Sequence, residues 1–558
     1  MLEKTEKLLP IRNLAILALL VTAGFQTYMV LRFEANWDEF YLLDWLYLFH
    51  RDELSQVLYT IYLHLFFWLP SVSVNELDQI VVARAVMYGF AVITCLAIYL
   101  TSRRFFSVET SLLVVLLFLS FTSVFRHLTS FRVDTMSLAL LMSATFLVTG
   151  KQNTLLRSLF CGFLIGLAGM ITIKSFFFAI MIGLILLINL IASGFQRDKF
   201  IHAIGIGFSS ILFFLVLYAM HASQLPSDET NVSYVSSVVV FSLLDAGFFP
   251  EWKTFTILLS SNPLYFALLF LGFLLAVFQL WQGDRSATYA SVTTLAFLIP
   301  LSTLLFYRHA HPYFYVHMLA PASILTGHFF EFLREKRLGL ALVGTFGVIC
   351  FAIVKVFLFS THQTLDYQRR VVDVIHEMYP RPVDYIDRAA MISSFRKRGI
   401  FMSRWGMLEY YTAGKPIMGA LLETYQPQFL LANIDSLDLD KLDDQVSDRP
   451  LLPADQTILE ENFIHHWGPI YVPGKKLSKT AADEKQNINI IVSGHYTVEA
   501  VYNILVNGVL VNPGDSIELE SGSYTVDLTN NSVITLRWGK GLYKPEDDPP
   551  DHALFRGF

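Results

Sequence analysis

The chain has 558 residues, 54% of them hydrophobic and only 16% charged, with a mean hydropathy of +0.49. That balance excludes an ordinary soluble globular protein and describes a multi-pass membrane protein carrying a soluble part. The net charge of −6 is uneven: Thr361 onward holds 19 basic and 27 acidic residues, which leaves 22 and 20 of the totals of 41 and 47 for the rest. An acidic tail on a near-neutral body excludes nucleic acid as a partner.

In chain order, Ile11 to Leu31 is long and apolar enough to cross a bilayer, which takes about 20 residues. It is too long for the apolar core of a signal peptide and lacks a small-residue cleavage site, so it reads as a retained anchor. Asn36-Trp37-Asp38-Glu39-Phe40-Tyr41 follows directly. From Leu42 to Leu69 aromatics and leucines are interrupted by Asp44, His50, Arg51, Asp52 and Glu53. That mixture predicts short helices lying in the membrane interface, with the acid pair at the water boundary. Ten further spans are predicted at 79–101, 110–125, 134–149, 159–173, 175–192, 201–220, 264–281, 288–306, 314–332 and 337–359, eleven in all.

Lys4, Lys7, Arg12, Arg103, Arg104, Lys151, Arg157, Arg197, Lys199, Arg285, Arg334, Lys336 and Arg337 fall on one side by alternation, and fewer cations on the other. The bias predicts a cytoplasmic N-terminus. Asp38 and Glu39, the 221–261 loop and the whole tail then lie on the outer face of the cell membrane. The three cysteines, Cys95, Cys161 and Cys350, sit in apolar runs and offer neither a disulfide framework nor a zinc spacing.

The tail divides at about residue 455. Alternating helical and strand-like runs (Val371–Met378, Gly399–Met402, Met407–Tyr411, 429–432) predict a small α/β unit over 361–455. Short runs broken by turns predict a β-sandwich over 456–558, with Asn507-Gly508 as a hairpin signal. Asn231-Val232-Ser233 and Asn530-Asn531-Ser532 match the glycosylation acceptor pattern.

Alternation gathers several charged residues at the outer boundary. Asp38 and Glu39 lie in the first outer loop, Arg126, His127, Arg132 and Asp134 in the second. Lys174 stands alone between two apolar runs, and Arg308, His309, His311 and Tyr313 precede the tenth span. Carboxylates beside several cations suit a phosphate-bearing lipid substrate: the cations pair with phosphate oxygens, and a carboxylate takes a proton from an attacking hydroxyl. Each has a plainer reading. Asp38-Glu39 is also a helix start, Arg132 and Asp134 a local ion pair, Lys174 a side chain snorkelling to water, and Tyr313–Tyr315 an aromatic belt. His309 and His311 form a metal site only if a third ligand arrives from elsewhere.

Trp37-Asp38-Glu39-Phe40-Tyr41 resembles the Asp-Glu motif in the first outer loop of the GT-C glycosyltransferase superfamily, which includes the protein O-mannosyltransferases and the lipid A aminoarabinose transferase. The stretch from Gly166 to Lys174 is similar to that family's Gly-Leu…Thr-Lys segment, and His311 to Pro321 to its Tyr-Tyr-Leu-Leu-Pro…Pro segment. Ser175 stands where a glycine is common. The resemblance covers residues 11–360. It implies transfer of a sugar, with inversion, from a polyprenyl-phosphate donor to a lipid, glycan or protein acceptor on the outer face, with or without a divalent metal ion. It further implies Asp38 as general base with Glu39 beside it, Arg126, Arg132, Lys174 and Arg308 on the donor phosphate, and Asp134, His127, His311 and Tyr313 lining the pocket. The competing expectation is a transporter or flippase of a charged lipid-linked sugar, which predicts internal repeats; none stands out.

Overall fold

The computed structural model describes residues 9–150, 152–226, 247–283, 285–440, 450–478, 485–528, 533–550 and 553–556. Lys4, Lys7, Lys151, residues 227–246 of the 221–261 loop and both glycosylation patterns lie outside them. Fourteen principal helices precede the tail: α1 Leu9–Arg32, α2 Trp37–His50, α3 Glu76–Ser102, α4 Val108–Ser120, α5 Val133–Val148, α6 Leu155–Ile171, α7 Ser175–Ala192, α8 Arg197–Ala222, α9 Trp252–Ser261, α10 Pro263–Gln282, α11 Arg285–Ala296, α12 Phe314–Leu325, α13 Gly327–Glu335 and α14 Gly339–Ser360.

Among the described residues, seven helical segments are long and apolar enough to span a membrane, and α4, α5 and α6 are shorter apolar helices. Three predicted spans are interrupted, among them 288–306, which is divided between α11, a short helix Ile299–Ser302 and a 3-10 turn Thr303–Leu305. The stretch 110–125 breaks at Phe121, whose backbone is extended, before a short helix Thr122–His127. The stretch 314–332 is shared between α12, with Pro321 inside it, and α13.

Small residues let α6 and α8 approach closely. A Cβ on Gly166 would lie 2.7 Å from the Ser210 carbonyl and 2.9 Å from the Phe214 nitrogen, and one on Gly162 would collide with Ser209. Without a hydrophobic drive between helices in lipid, such close backbone packing supplies the attraction.

The stretch 32–78 does not simply lie on the membrane. It is the floor on which the tail is built. Gln368, in α15 (Asp366–Met378), exchanges hydrogen bonds with both backbone groups of Ala35 (2.7 and 2.8 Å). Glu76 accepts from Ser394 (2.6 Å) and contacts His376 (3.0 Å), and Asn75 donates to Asp373 (2.7 Å). Phe40, Leu43, Leu46, Leu77, Val371, Ile375 and Phe395 share one apolar core.

The tail strands are β1 Asp384–Ile386, β2 Arg396–Arg398, β3 Phe429–Leu431, β4 Phe463–Trp467, β5 Ile470–Ser478, β6 Lys485–Ile490, β7 Gly494–Glu499, β8 Ile504–Val506, β9 Val509–Val511, β10 Ser516–Leu519, β11 Gly522–Asp527 and β12 Val533–Trp538. One sheet runs β10-β7-β12-β5-β3-β1-β2, with β4 on β5; a second runs β6-β11-β8-β9. The β3–β5 pairing carries the first sheet across residue 455, so the two tail units share a backbone ladder. Gly399–Met402 is loop and the strand lies at Arg396–Arg398, pairing parallel to β1. Asn507 and Gly508 both have positive φ in the β8–β9 turn, as a two-residue hairpin of this twist requires.

Replacing Gly166 by Val should destabilise the protein by about 1–3 kcal/mol through overpacking against α8; thermal unfolding in detergent reads the loss, and an unchanged transition would contradict the close packing.

Candidate functional site

The site begins at the start of α2. Asn36 caps the helix: its side chain accepts from the Asp38 N–H (3.0 Å), and Glu39 reaches back to the Asn36 N–H (3.0 Å). Glu39 is fully buried. Its carboxylate takes two bonds from Arg84 of α3 (2.7 and 2.5 Å) and one from the Phe131 N–H (2.7 Å). Arg84 in turn donates to the carbonyls of Phe33 (2.6 Å) and Glu34 (2.9 Å). Burial opposes the Glu39 charge, but Arg84 and the two backbone donors outweigh it and hold the carboxyl below its usual range. Glu39 is therefore committed to the framework and does not face the cavity described below.

Asp38 points the other way. Its Oδ2 lies 2.5 Å from Arg132 Nη1, Arg132 Nε is 3.5 Å from Asp134 Oδ2, and Asp134 Oδ1 is 2.6 Å from Lys174 Nζ. Four charges of alternating sign thus run across the starts of α2, α5 and α7. The ring of Tyr313 covers the two cations, 3.5 Å from the Arg132 guanidinium carbon and 5.0 Å from Lys174 Nζ.

In front of this row is a cavity of about 570 Å³ between the helix ends and the tail. Asp38, Arg308, His309, His311 and Tyr313 line its membrane side. Arg388, Phe401, Arg404 and Tyr411 line the tail side, and Glu251 a third wall. Arg388 stacks on the Trp37 indole (3.7 Å to the ring centre), Tyr41 stacks on Phe401 (4.2 Å), and Arg404 pairs with Glu251 (2.8 Å). Phe555 closes the far side of Trp37 and Phe40 edge-on. Burial pushes His309 down to about 4 and His311 in the same direction, so both imidazoles are neutral near pH 7.

Arg126 and His127 are not brought to this cavity. They line a neighbouring one of about 270 Å³ with Ser123 and Pro312, where Arg126 Nε donates to Ser360 Oγ (3.3 Å). Among the described residues no three His, Cys, Asp or Glu side chains converge as metal ligands. Among the described residues the two acids of the motif are each held by an arginine, Asp38 by Arg132 and Glu39 by Arg84.

No protein-family model matches the sequence, and no curated protein matches it. Solved structures do. The archaeal oligosaccharyltransferase AglB from Archaeoglobus fulgidus, in complex with an inhibitory peptide and a dolichol-phosphate, superposes with a TM-score of 0.50 at 10% identity, over 95% of this chain and 97% of that one. ArnT from Cupriavidus metallidurans, bound to undecaprenyl phosphate, superposes with a TM-score of 0.50 at 11% identity, over 78% and 95%. Both are GT-C glycosyltransferases. The chain has the GT-C fold.

Within that fold, the sequence reading missed Arg84 and the whole tail side of the cavity. Arg84 carried a signal, being the only charge between Asp78 and Arg103 in a predicted span, where a lone charge requires a partner. Glu39 carried one too: Asn36-x-x-Glu39 is the capping-box pattern. Arg388, Phe401 and Arg404 carried none, because only long-range packing brings them over Trp37 and Tyr41.

Arg84→Met, which strands a buried Glu39 carboxylate, should destabilise the protein by about 3–5 kcal/mol. Pairing it with Glu39→Gln should recover much of the loss. A double variant as unstable as the single one would refute a paired role.

Proposed function

We propose that this GT-C chain transfers a sugar from a polyprenyl-phosphate donor to an acceptor on the extracytoplasmic face, with Asp38 as general base. The observation that carries the reading is Asp38 itself: a half-exposed carboxylate, anchored by Arg132, on the wall of a large cavity at the helix ends beside Arg308.

In the proposed step the acceptor hydroxyl oxygen bonds to the anomeric carbon while the bond from that carbon to the phosphate oxygen breaks. The hydroxyl proton passes to Asp38, and the polyprenyl phosphate leaves with the bonding pair. Attack opposite the leaving group inverts the anomeric centre. Arg132 orients Asp38 through their ion pair. Negative charge gathers on the departing phosphate, where fixed cations help most, and Arg308 lines the same cavity as Asp38, as do Arg388 and Arg404 of the tail. Lys174 and Arg132 stand behind, each already on a carboxylate, and act by keeping that wall rigid. Orientation follows from the Lys/Arg bias of the loops.

A lipid donor has a place to lie. An apolar groove of about 400 Å³ bounded by Ile165, Gly169, Thr172, Ile173 and Phe176 opens beside Lys174, and the GT-C structures above hold dolichol-phosphate and undecaprenyl phosphate. The charged row sits at helix starts instead of the bilayer midplane, where transporters place their sites, which favours transfer over transport.

Asp38→Asn should abolish transfer, with a fall in kcat of at least about 100-fold as for loss of a positioned base, while the protein still inserts and folds. Turnover of a purified polyprenyl-phosphate sugar at the wild-type rate would sink the assignment. Lys174→Ala should weaken apparent donor affinity by about ten-fold through loosening of Asp134 and Arg132; an unchanged donor KM would remove Lys174 from the site.

A further inference from the structure

The helices that begin at the candidate site end at a second polar cavity. From Asp134 to Thr149, α5 carries the chain about 22 Å at 1.5 Å per residue. There Thr149, Gly150 and Asn153, the end of α7 (Asn189), the start of α8 (Lys199, His202) and Arg104 enclose about 140 Å³. We propose that this cavity binds the phosphate headgroup of an anionic phospholipid, at the end of the membrane domain remote from Asp38.

Two cations line it without an acid, and a third, Arg157, reaches it at Gly150 while its Nη2 donates to the Leu147 carbonyl. Arg104 and Lys199 line the cavity and no carboxylate does. A Cβ on Gly150 would collide with Arg157 Nη2 and come within 3.2 Å of Arg104 Nη2, so two guanidinium groups converge on one glycine. Among the described residues no carboxylate lies within 4.0 Å of Arg104, Arg157 or Lys199, and the buried Arg157 Nε has no hydrogen-bond partner. Like charges brought together with no counter-ion call for an anion to join them.

The remaining polar groups are spoken for and give the cavity its shape. Tyr289 donates to Asn189 (2.6 Å), Asn189 to the Val148 carbonyl (3.2 Å), and His202 is bonded to Ser158 (2.6 Å). Arg104 is steadied over the Phe146 ring (4.7 Å).

The surroundings select a lipid over a free anion. Leu155 (70% exposed) and Leu156 (78%) open α6 immediately beside the cavity, and Phe200, Ile201 and Ile204 lie exposed along the start of α8. Acyl chains can run down these faces while the headgroup phosphate meets the cations. Basic pockets between membrane helices are recognised sites for anionic headgroups.

The test uses the full chain, delipidated in detergent, with melting temperature as readout. Dioleoyl-phosphatidylglycerol should raise Tm saturably, as a ligand that binds only the folded state does, and dioleoyl-phosphatidylcholine, with the same phosphate but no net charge, should give roughly half that increment or less. Inorganic phosphate should give none. In Arg104→Gln/Lys199→Gln the phosphatidylglycerol increment should fall to the phosphatidylcholine level. Lys199→Glu, on a half-exposed side chain, should do the same should the double variant fold poorly. Lys336→Gln/Arg337→Gln, exposed cations following α13, which packs on Phe106 near Arg104, should keep the full increment. Equal increments from the two lipids, an undiminished increment in the site variants, or an equal loss in the control variant would each overturn the proposal. A wild-type-sized increment from inorganic phosphate alone would overturn the lipid assignment.

Discussion

The arrangement at the mouth of this protein depends on the buried ion pair between Glu39 and Arg84. Each partner makes four hydrogen bonds, to the other and to four backbone groups at positions 33, 34, 36 and 131. Two ions removed from water are tolerable only when their hydrogen-bonding capacity is nearly filled in this way. The pair therefore pins the start of α2, the segment leading into α5 and α3 to a common point. Because Glu39 holds the Phe131 N–H, the next residue, Arg132, is delivered to the carboxylate that precedes Glu39 in sequence. Adjacent residues on each side thus divide the labour: 39 with 131 builds, 38 with 132 presents.

Around that point the charges alternate in sign from Asp38 to Lys174, each cation paired with a carboxylate, in a region walled by Tyr313 and Phe314. The row spans three helix starts, so the geometry of Asp38 reports on the packing of α5 and α7 as much as on its own loop. On the proposed reading, a donor phosphate finds a cation on the cavity wall in Arg308, and the row behind supplies rigidity.

Much of the membrane domain was legible because lipid imposes a simple rule: apolar runs of spanning length become helices. The predicted segments at 79–101, 175–192, 201–220, 264–281 and 337–359 fall within helices of nearly the same extent. The breaks at Phe121 and Thr326 were not legible, since no proline or glycine pair marks the first and Pro321 precedes the second by a full turn. Lys174, Asp134, Arg132 and Asp38 could be gathered from sequence because alternation puts their loops on one side. Arg126 and His127 share that side yet open onto a different cavity, a distinction made by side-chain direction within one short helix. The tail side of the site was invisible for a deeper reason: stacking of Phe401 on Tyr41 joins residues 360 positions apart, and neither periodicity nor turn chemistry encodes such a meeting.

The continuous ladder through β3 and β5 bears on how the protein is made. The roof over Asp38 comes from residues 388–411, whose sheet gains its next neighbour only when 470–478 has been synthesised, and Trp37 is enclosed only when residues 553–556 arrive. Insertion of the helices can thus be complete while the cavity still lacks a wall. A chain interrupted within the tail would carry Asp38 and its arginine in an open mouth, so the enclosed cavity waits on the tail's last pairings.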